Sequence, residues 1–433
     1  MPSLARGGLR DILVAFVPIQ AAFLWFNYLP GPRALLPDEA RIWNAAYELA
    51  IGGNHAPTFL EPPGEAYVAA VLVRAFGPTL LPLQFLQIAL LIAGGFALRA
   101  LAGAVGLSRQ AADLCLMSYL CNPELVAASH YVLPDVAHLF FAICAALCIA
   151  RGRSALTVVA GLSLGAAVLL RSLLIPLVPL FALAAAWPRA GRGWSIRPAL
   201  LLLGGVGGIA VPAMAASEIA WSHGSLGAGA AFHVWIGLND RGDHGLVDEI
   251  EDSERDRYLA SSTDPGERER VYRRKVWEKV REDGAVATLR RQVPRQLRRL
   301  VRKESFFTDQ LPGGATPTYS NAMTAWATFA FRAGSYFTYA VLLATGITGM
   351  FVPAPAAIRK RMRPFLVFVF FGLATAMVFH VSSRDRLPLL PVLFLYVGIA
   401  YDRLAGALPE QPFETGRTLA LLSVLATALW LAI

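Results

Sequence analysis

This 433-residue chain has little charge: Asp, Glu, Lys and Arg make up 16% of it, against 56% hydrophobic residues. Soluble domains carry about a quarter charged residues. With a mean hydropathy of +0.50, the composition excludes a soluble globular protein and reads as a polytopic membrane chain. Cysteine is scarce too. Cys115, Cys121, Cys144 and Cys148 are the only ones, no two stand as Cys-x-x-Cys, and all fall in apolar runs. They read as small residues of lipid-embedded helices. There is no Gly-rich phosphate loop beside a strand, no internal repeat and no low-complexity tract. No stretch reads as a soluble catalytic domain, so any chemistry belongs to a membrane surface. A cleavable leader is also missing: the first apolar run begins near Asp11, exceeds a signal-peptide core in length and lacks a small-residue cleavage site, which predicts a retained helix.

What the chain does have is apolar runs of roughly the twenty residues that span hydrocarbon. They fall at 11–29, 80–102, 110–128, 134–150, 155–171, 173–187, 198–220, 323–352, 364–381, 386–402 and 416–433, predicting an all-α polytopic fold. The net charge of +9 sits largely in short loops and one basic segment, so it does not call for nucleic acid. Placing the N-terminus with Arg6 and Arg10 inside puts Arg109, "RGR" at 151–153, "PRAGRGWSIR" at 188–197, "RKRMR" at 359–363 and Arg403 on the same side. The other side receives "PDEAR", "SHYVLPD" and "SSRDR", as the positive-inside rule requires. Two outer segments are long, 30–79 and 221–322. They divide the chain into a transmembrane module (1–220), an outer-loop subdomain (221–322) and C-terminal transmembrane helices (323–433). Within the subdomain, "ATLRRQVPRQLRRLVRK" sets Leu289, Val293, Leu297 and Leu300 on one stripe among arginines. It reads either as a basic amphipathic helix on an anionic membrane surface or as a solvated helix of a small subdomain.

Asp38 and Glu39 follow Pro37 just beyond the first span. A carboxylate at a membrane boundary is costly to desolvate and usually has a task, yet an acid there also suits a helix N-cap. Both readings stand. Asp135 occupies a matching position, again after a proline, at another outer helix start, with His130, Tyr131 and His138 around it. Paired carboxylates suit a reaction in which one acts as general base; a lone His at a helix end is more often structural. Arg41, Arg171, Arg384 and Arg386 lie on the same side. Each either anchors a helix at headgroup level or grips phosphate oxygens with its forked guanidinium. Acids plus arginines at one membrane face point to a phosphate ester on a lipid.

In order along the chain stand "PDEAR", "EPPGEAY" at 61–67, "LPD" at 133–135, "LGAAVLLRSLLIPLVPL" at 164–180, "WIGLNDRGDHG" at 235–245 and "SSRDRLPLLPVL" at 383–393. Together, and with this topology, they resemble the membrane-embedded GT-C glycosyltransferases related to protein O-mannosyltransferases and the lipid A aminoarabinose transferase (families 39 and 83). The resemblance implies a GT-C fold of about 11 transmembrane helices, with interfacial helices in the outer loops. It also implies a multi-pass enzyme of the bacterial cytoplasmic (inner) membrane, its site facing the periplasm or exterior. The implied donor is a polyprenyl-phosphate sugar; the acceptor is a lipid, glycan or protein, and the transfer inverts the anomeric centre. Asp38 is then the base, Asp135 and Glu39 the accompanying acids, and Arg41 a phosphate ligand. Relatives carry a basic residue where Glu61 stands, which shifts the phosphate contact toward Arg171, Arg384 or Arg386. His130, Tyr131, Glu61, Tyr67 and Asn239 remain as substrate contacts. A divalent cation stays open as a cofactor, with Asp38 and Asp135 as its ligands. Two other functions compete: a flippase of lipid-linked sugar, and a polysaccharide ligase using diphosphate donors. A transporter should carry charge in its helix centres and show repeats; here charge gathers at one face.

Overall fold

The structure is a computed structural model. It describes residues 14, 16–26, 34–52, 62–152, 154–186, 195–221, 229–239, 247–262, 264–314, 317–318, 323–378 and 383–406. Among these there is no strand, in keeping with the all-α expectation. The helices are α1 (Phe16–Phe26), α2 (Pro37–Ile51), α3 (Gly64–Phe76), α4 (Leu81–Val105), α5 (Arg109–Leu120), α6 (Pro123–Ala128), α7 (Asp135–Arg151), α8 (Ser154–Leu170) and α9 (Val178–Ala186). There follow α10 (Arg197–Trp221), α11 (Ala230–Asn239), α12 (Val247–Ala260), α13 (Pro265–Asp283), α14 (Ala285–Val301), α15 (Ala325–Phe351), α16 (Ala356–Val378) and α17 (Leu390–Leu404).

One apolar cluster joins α1, α4, α5, α7, α15 and α17 through residues such as Phe23, Leu98, Leu116, Tyr119, Val136 and Phe394. A second joins α7, α8, α9 and α10. The α8–α10 contact runs on glycine: a Cβ at Gly161 would overlap the Leu202 carbonyl, and one at Gly205 would come within 2.7 Å of the Val158 carbonyl. Small residues of this kind let apolar helices approach closely where no water drives them together. α2 and α3 pack through Ala46, Ala69 and Ala70. Arg74 of α3 closes the end of α2 by donating to the Leu49 and Ala50 carbonyls at 2.7 and 3.0 Å, a cation at a helix C-terminus.

The expected spans are reproduced unevenly. Three stretches are long and apolar enough to cross a membrane: Leu81–Val105, Arg197–Ala215 and Arg384–Leu404. α15 with the first turns of α16 makes a fourth, bent by 117°. Eleven are not reached among the described residues. The run at 110–128 divides into α5 and α6 because Pro123 has no N–H to continue the helix, while Asn122 restarts it by accepting from the Glu124 and Leu125 N–H groups, both at 3.1 Å. At 173–187 a 3-10 turn over Ser172–Leu177, holding Pro176, precedes α9. At 386–402 a 3-10 turn over Ser383–Leu389, holding Pro388, precedes α17. "RKRMR", expected in a loop, lies inside α16. The run at 416–433 lies outside the described residues.

The bundle has two distinct ends. At one, Arg361 donates to the Ala104 carbonyl at 3.0 Å, Asp402 accepts from the Ser108 N–H at 2.9 Å, and Arg99 meets Asp113 at 2.5 Å. The starts of α2, α4 and α7, the end of α8 and the start of α17 gather at the other.

Candidate active site

At that second end, six charged side chains from four chain segments form one string. Arg41 meets Asp38 within the first turn of α2 at 2.5 Å. The other Asp38 oxygen lies 3.4 Å from Arg384. Arg384 Nε stands 3.8 Å from Asp135 Oδ2, Asp135 Oδ1 accepts from Arg171, and Arg171 reaches Asp385 at 2.7 Å. The signs alternate along the whole string, so the cluster carries no net charge. Exposure is 33% for the Asp38 side chain, 13% for Arg384 and lowest, at 2%, for Asp135 in the middle of the string. A reactant can therefore reach Asp38 while Asp135 stays shielded.

The two readings of Asp38 separate here. The N-cap of α2 is Leu36, and Asp38 sits one residue into the helix with its carboxylate turned to guanidiniums. Capping falls instead to Glu39, whose Oε2 accepts from the Leu36 N–H at 2.9 Å and whose Oε1 accepts from the Val132 N–H at 2.8 Å. Glu39 is fully buried, so the adjacent acids divide the work: one fixes the loop before α7, the other faces the string. Burial pushes the Asp38 carboxyl up, but Arg384, Arg41 and Arg255, with His233, outweigh it and hold it below its ordinary 3.8. It is ionised, and α11 and α12 lie near enough to act on it.

Arg386, expected beside Arg384 as a phosphate ligand, is committed elsewhere. Its Nε donates to Glu124 at 3.1 Å and its Nη2 to the other Glu124 oxygen. Its Nη1 donates to the Arg302 carbonyl at 2.6 Å, and its guanidinium lies 3.9 Å from the Tyr339 ring centroid. A 3-10 turn advances about 120° per residue, so residues 384 and 386 point apart. Beside Arg384 lies a narrow cleft walled by Glu124, Tyr131, Asp135, Phe306, Arg384 and Leu387. Arg384 lies over the Phe306 ring at 5.4 Å, and Tyr131 meets that ring edge-on at 5.6 Å.

The remaining expected residues scatter. His130 is buried, its Nε2 2.7 Å from Gln20 Oε1 and its ring stacked on Phe23 at 5.4 Å; it belongs to the core. His138 meets the Ala167 carbonyl through Nδ1 at 3.0 Å. Tyr67 is half-buried on α3. Asn239 donates to the Trp235 carbonyl of its own helix at 2.9 Å. Glu61 lies outside the described residues. Three participants carried little sequence signal: Asp385 stands between the two arginines of "SSRDR", whereas nothing marked Glu124 or Phe306. As for a divalent cation, no group of three or more His, Cys, Asp or Glu among the described residues is arranged to hold one. Asp38 and Asp135 both face guanidiniums.

No protein-family model matches the chain, and no curated protein matches it. Among solved structures it is similar to ArnT from Cupriavidus metallidurans in the apo state, at 17% identity and TM-score 0.41, over 94% of this chain and 79% of that one. The same protein bound to undecaprenyl phosphate gives 16% and 0.40, over 93% and 79%. The archaeal oligosaccharyltransferase AglB from Archaeoglobus fulgidus, in complex with an inhibitory peptide and a dolichol-phosphate, gives 12% and 0.44, over 97% of this chain and 55% of its own. These superpositions are loose, and the roles of the side chains rest on the geometry above.

Proposed function

We propose that the protein is a glycosyltransferase of the bacterial inner membrane that takes a sugar from a polyprenyl-phosphate-linked donor at the outer face. The observation that carries this reading is the convergence of Asp38, Arg41, Asp135, Arg171 and Arg384 into one string at one end of the bundle. Asp38, open and ionised, takes the proton of an acceptor hydroxyl. The acceptor oxygen forms its bond to the anomeric carbon from the face opposite the phosphate. The bond from that carbon to the phosphate oxygen breaks, and the lipid phosphate leaves carrying the electron pair. Arg41 and Arg384 stabilise the departing anion, as oriented donors do best in a site closed to water. Asp135, shielded, holds Arg171 and Arg384 in line.

The same reading gives α14 a membrane role. Near its start Val286 and Leu289 are 81% and 50% exposed, while Thr288, Gln292, Gln296 and, at its end, Leu300 are buried. An exposed apolar start of a helix, among arginines, suits a lipid surface.

The test is binding of undecaprenyl phosphate and undecaprenyl diphosphate to the full chain in detergent, with Arg41→Ala and Arg384→Ala beside the parent. Monophosphate binding lost in both variants supports the reading. Binding of the diphosphate alone favours the ligase, and unchanged binding in both variants removes the site assignment. A flippase would instead move a lipid-linked sugar across vesicles without forming product.

A further inference from the structure

The turn between α6 and α7 delivers Asp135 and Tyr131, and three side chains from two other helices hold its backbone. Gln84 of α4 donates to the His130 carbonyl at 2.9 Å. Glu39 of α2 accepts from the Val132 N–H at 2.8 Å. Gln87 of α4 donates to the Leu133 carbonyl at 3.1 Å. Gln87 is itself held, because the same Nε2 donates its other hydrogen to Glu65 Oε1 of α3 at 2.9 Å. Both side chains are buried, at 0% and 3% exposure. A primary amide has two hydrogens on nitrogen and none on oxygen. Turned over, Gln87 would set oxygen against the Leu133 carbonyl, which accepts only. The Leu133 carbonyl therefore fixes which way Gln87 points, and an acceptor at position 65, taking the second hydrogen, holds the amide in place against Leu133, two residues before Asp135.

We propose that Glu65 is a positioning residue of the site: through Gln87 and the Leu133 carbonyl it sets Asp135 in register against Arg171 and Arg384. A buried carboxylate would be a poor choice for this task in a pocket that receives phosphate, since it adds like charge. Glu65 avoids that. Burial pushes its carboxyl up to about 8, the Asp135 charge adding to the rise and the Gln87 hydrogen bond opposing it. At neutral pH it is a carboxylic acid whose carbonyl oxygen accepts from Gln87. Among the described residues the charge that acts on it is Asp135; α8 presents the Leu169 backbone beside Gly64, and α2 packs on α3 through Ala46. The pocket gains a hydrogen bond and no charge.

The role of Glu65 rests on the proposed donor only for its effect on phosphate binding; the positioning itself is read without ligand. Hydrogen exchange of the backbone at 130–135 is measured in the full chain for the parent, Glu65→Gln and Glu65→Leu. Glu65→Gln still offers an amide oxygen and should keep parent-like exchange. Glu65→Leu should speed it at least tenfold. Should Glu65→Leu fail to fold, Gln87→Leu takes its place, breaking the same link with Glu65 left alone. In binding, undecaprenyl phosphate affinity at pH 7 should hold within twofold in Glu65→Gln and fall about tenfold in the leucine variant. The parent should lose affinity several-fold between pH 7 and 9, where Glu65 ionises, and Glu65→Gln should not. Parent-like exchange in the leucine variants, or equal loosening in Glu65→Gln, overturns the proposal. If no form binds undecaprenyl phosphate while the exchange pattern holds, the donor assignment fails and the positioning role stands.

Discussion

Asp38 and Arg384 touch each other, and their substitutions should nevertheless fail differently. Asp38→Asn keeps shape and removes the base, so it should lower turnover about 10²–10⁴-fold with undecaprenyl phosphate affinity largely kept. Arg384→Ala should weaken that affinity by about 1.5–3 kcal/mol, the range of a charge-assisted hydrogen bond. Arg384→Lys should restore only part, because the planar fork is lost. Near-normal turnover in Asp38→Asn would return that acid to a purely structural role. A pH signature accompanies it. Asp38 is held below its ordinary 3.8 in the folded protein, so its ionised form adds stability at any pH above that value. The contribution is withdrawn as pH falls through the folded value. Melting curves taken between about pH 2 and 5 should therefore drop less steeply for Asp38→Asn than for the parent. Arg386 behaves as core: replacing Glu124 by Ala strands a buried guanidinium, which should cost about 3–5 kcal/mol of stability.

Elements explain what the sequence made legible and what it hid. Hydropathy marks a run as apolar but is blind to a break of one residue, so 110–128 read as a single span although Asn122 and Pro123 divide it. Removing that cap with Asn122→Ala should cost roughly 1 kcal/mol in thermal stability. The site acids were legible because an Asp after a proline at an apolar boundary is rare and local. Which acid would cap and which would face the arginines was not, since Glu39 finds its partner on Val132, far along the chain. α14 was half legible. Its two faces follow from the spacing of Leu289 and Val293, but which face turns inward depends on its packing against α16 and the 3-10 turn at 383–389. Fluorophores attached at Val286→Cys and Leu289→Cys should be quenched by brominated lipid in anionic bilayers. A probe at Arg274, on α13, should not. Equal quenching at all three sites would remove α14 from the membrane surface.

At the scale of the whole molecule, the charged end is positioned by parts that carry no charge. Arg171 enters the string because α8 ends there, and α8 is seated on α10 where Gly161 and Gly205 let the two backbones touch. From Gly161 to Arg171 is roughly 15 Å of helix at the usual rise per residue. A helix is a stiff rod, so a small sideways push at its middle becomes a displacement at its tip. Gly161→Ala, in an apolar helix and away from the charged string, should therefore behave as a misaligned lens mount: the optics are intact, the focus is lost, and undecaprenyl phosphate affinity falls although no charged residue has been changed.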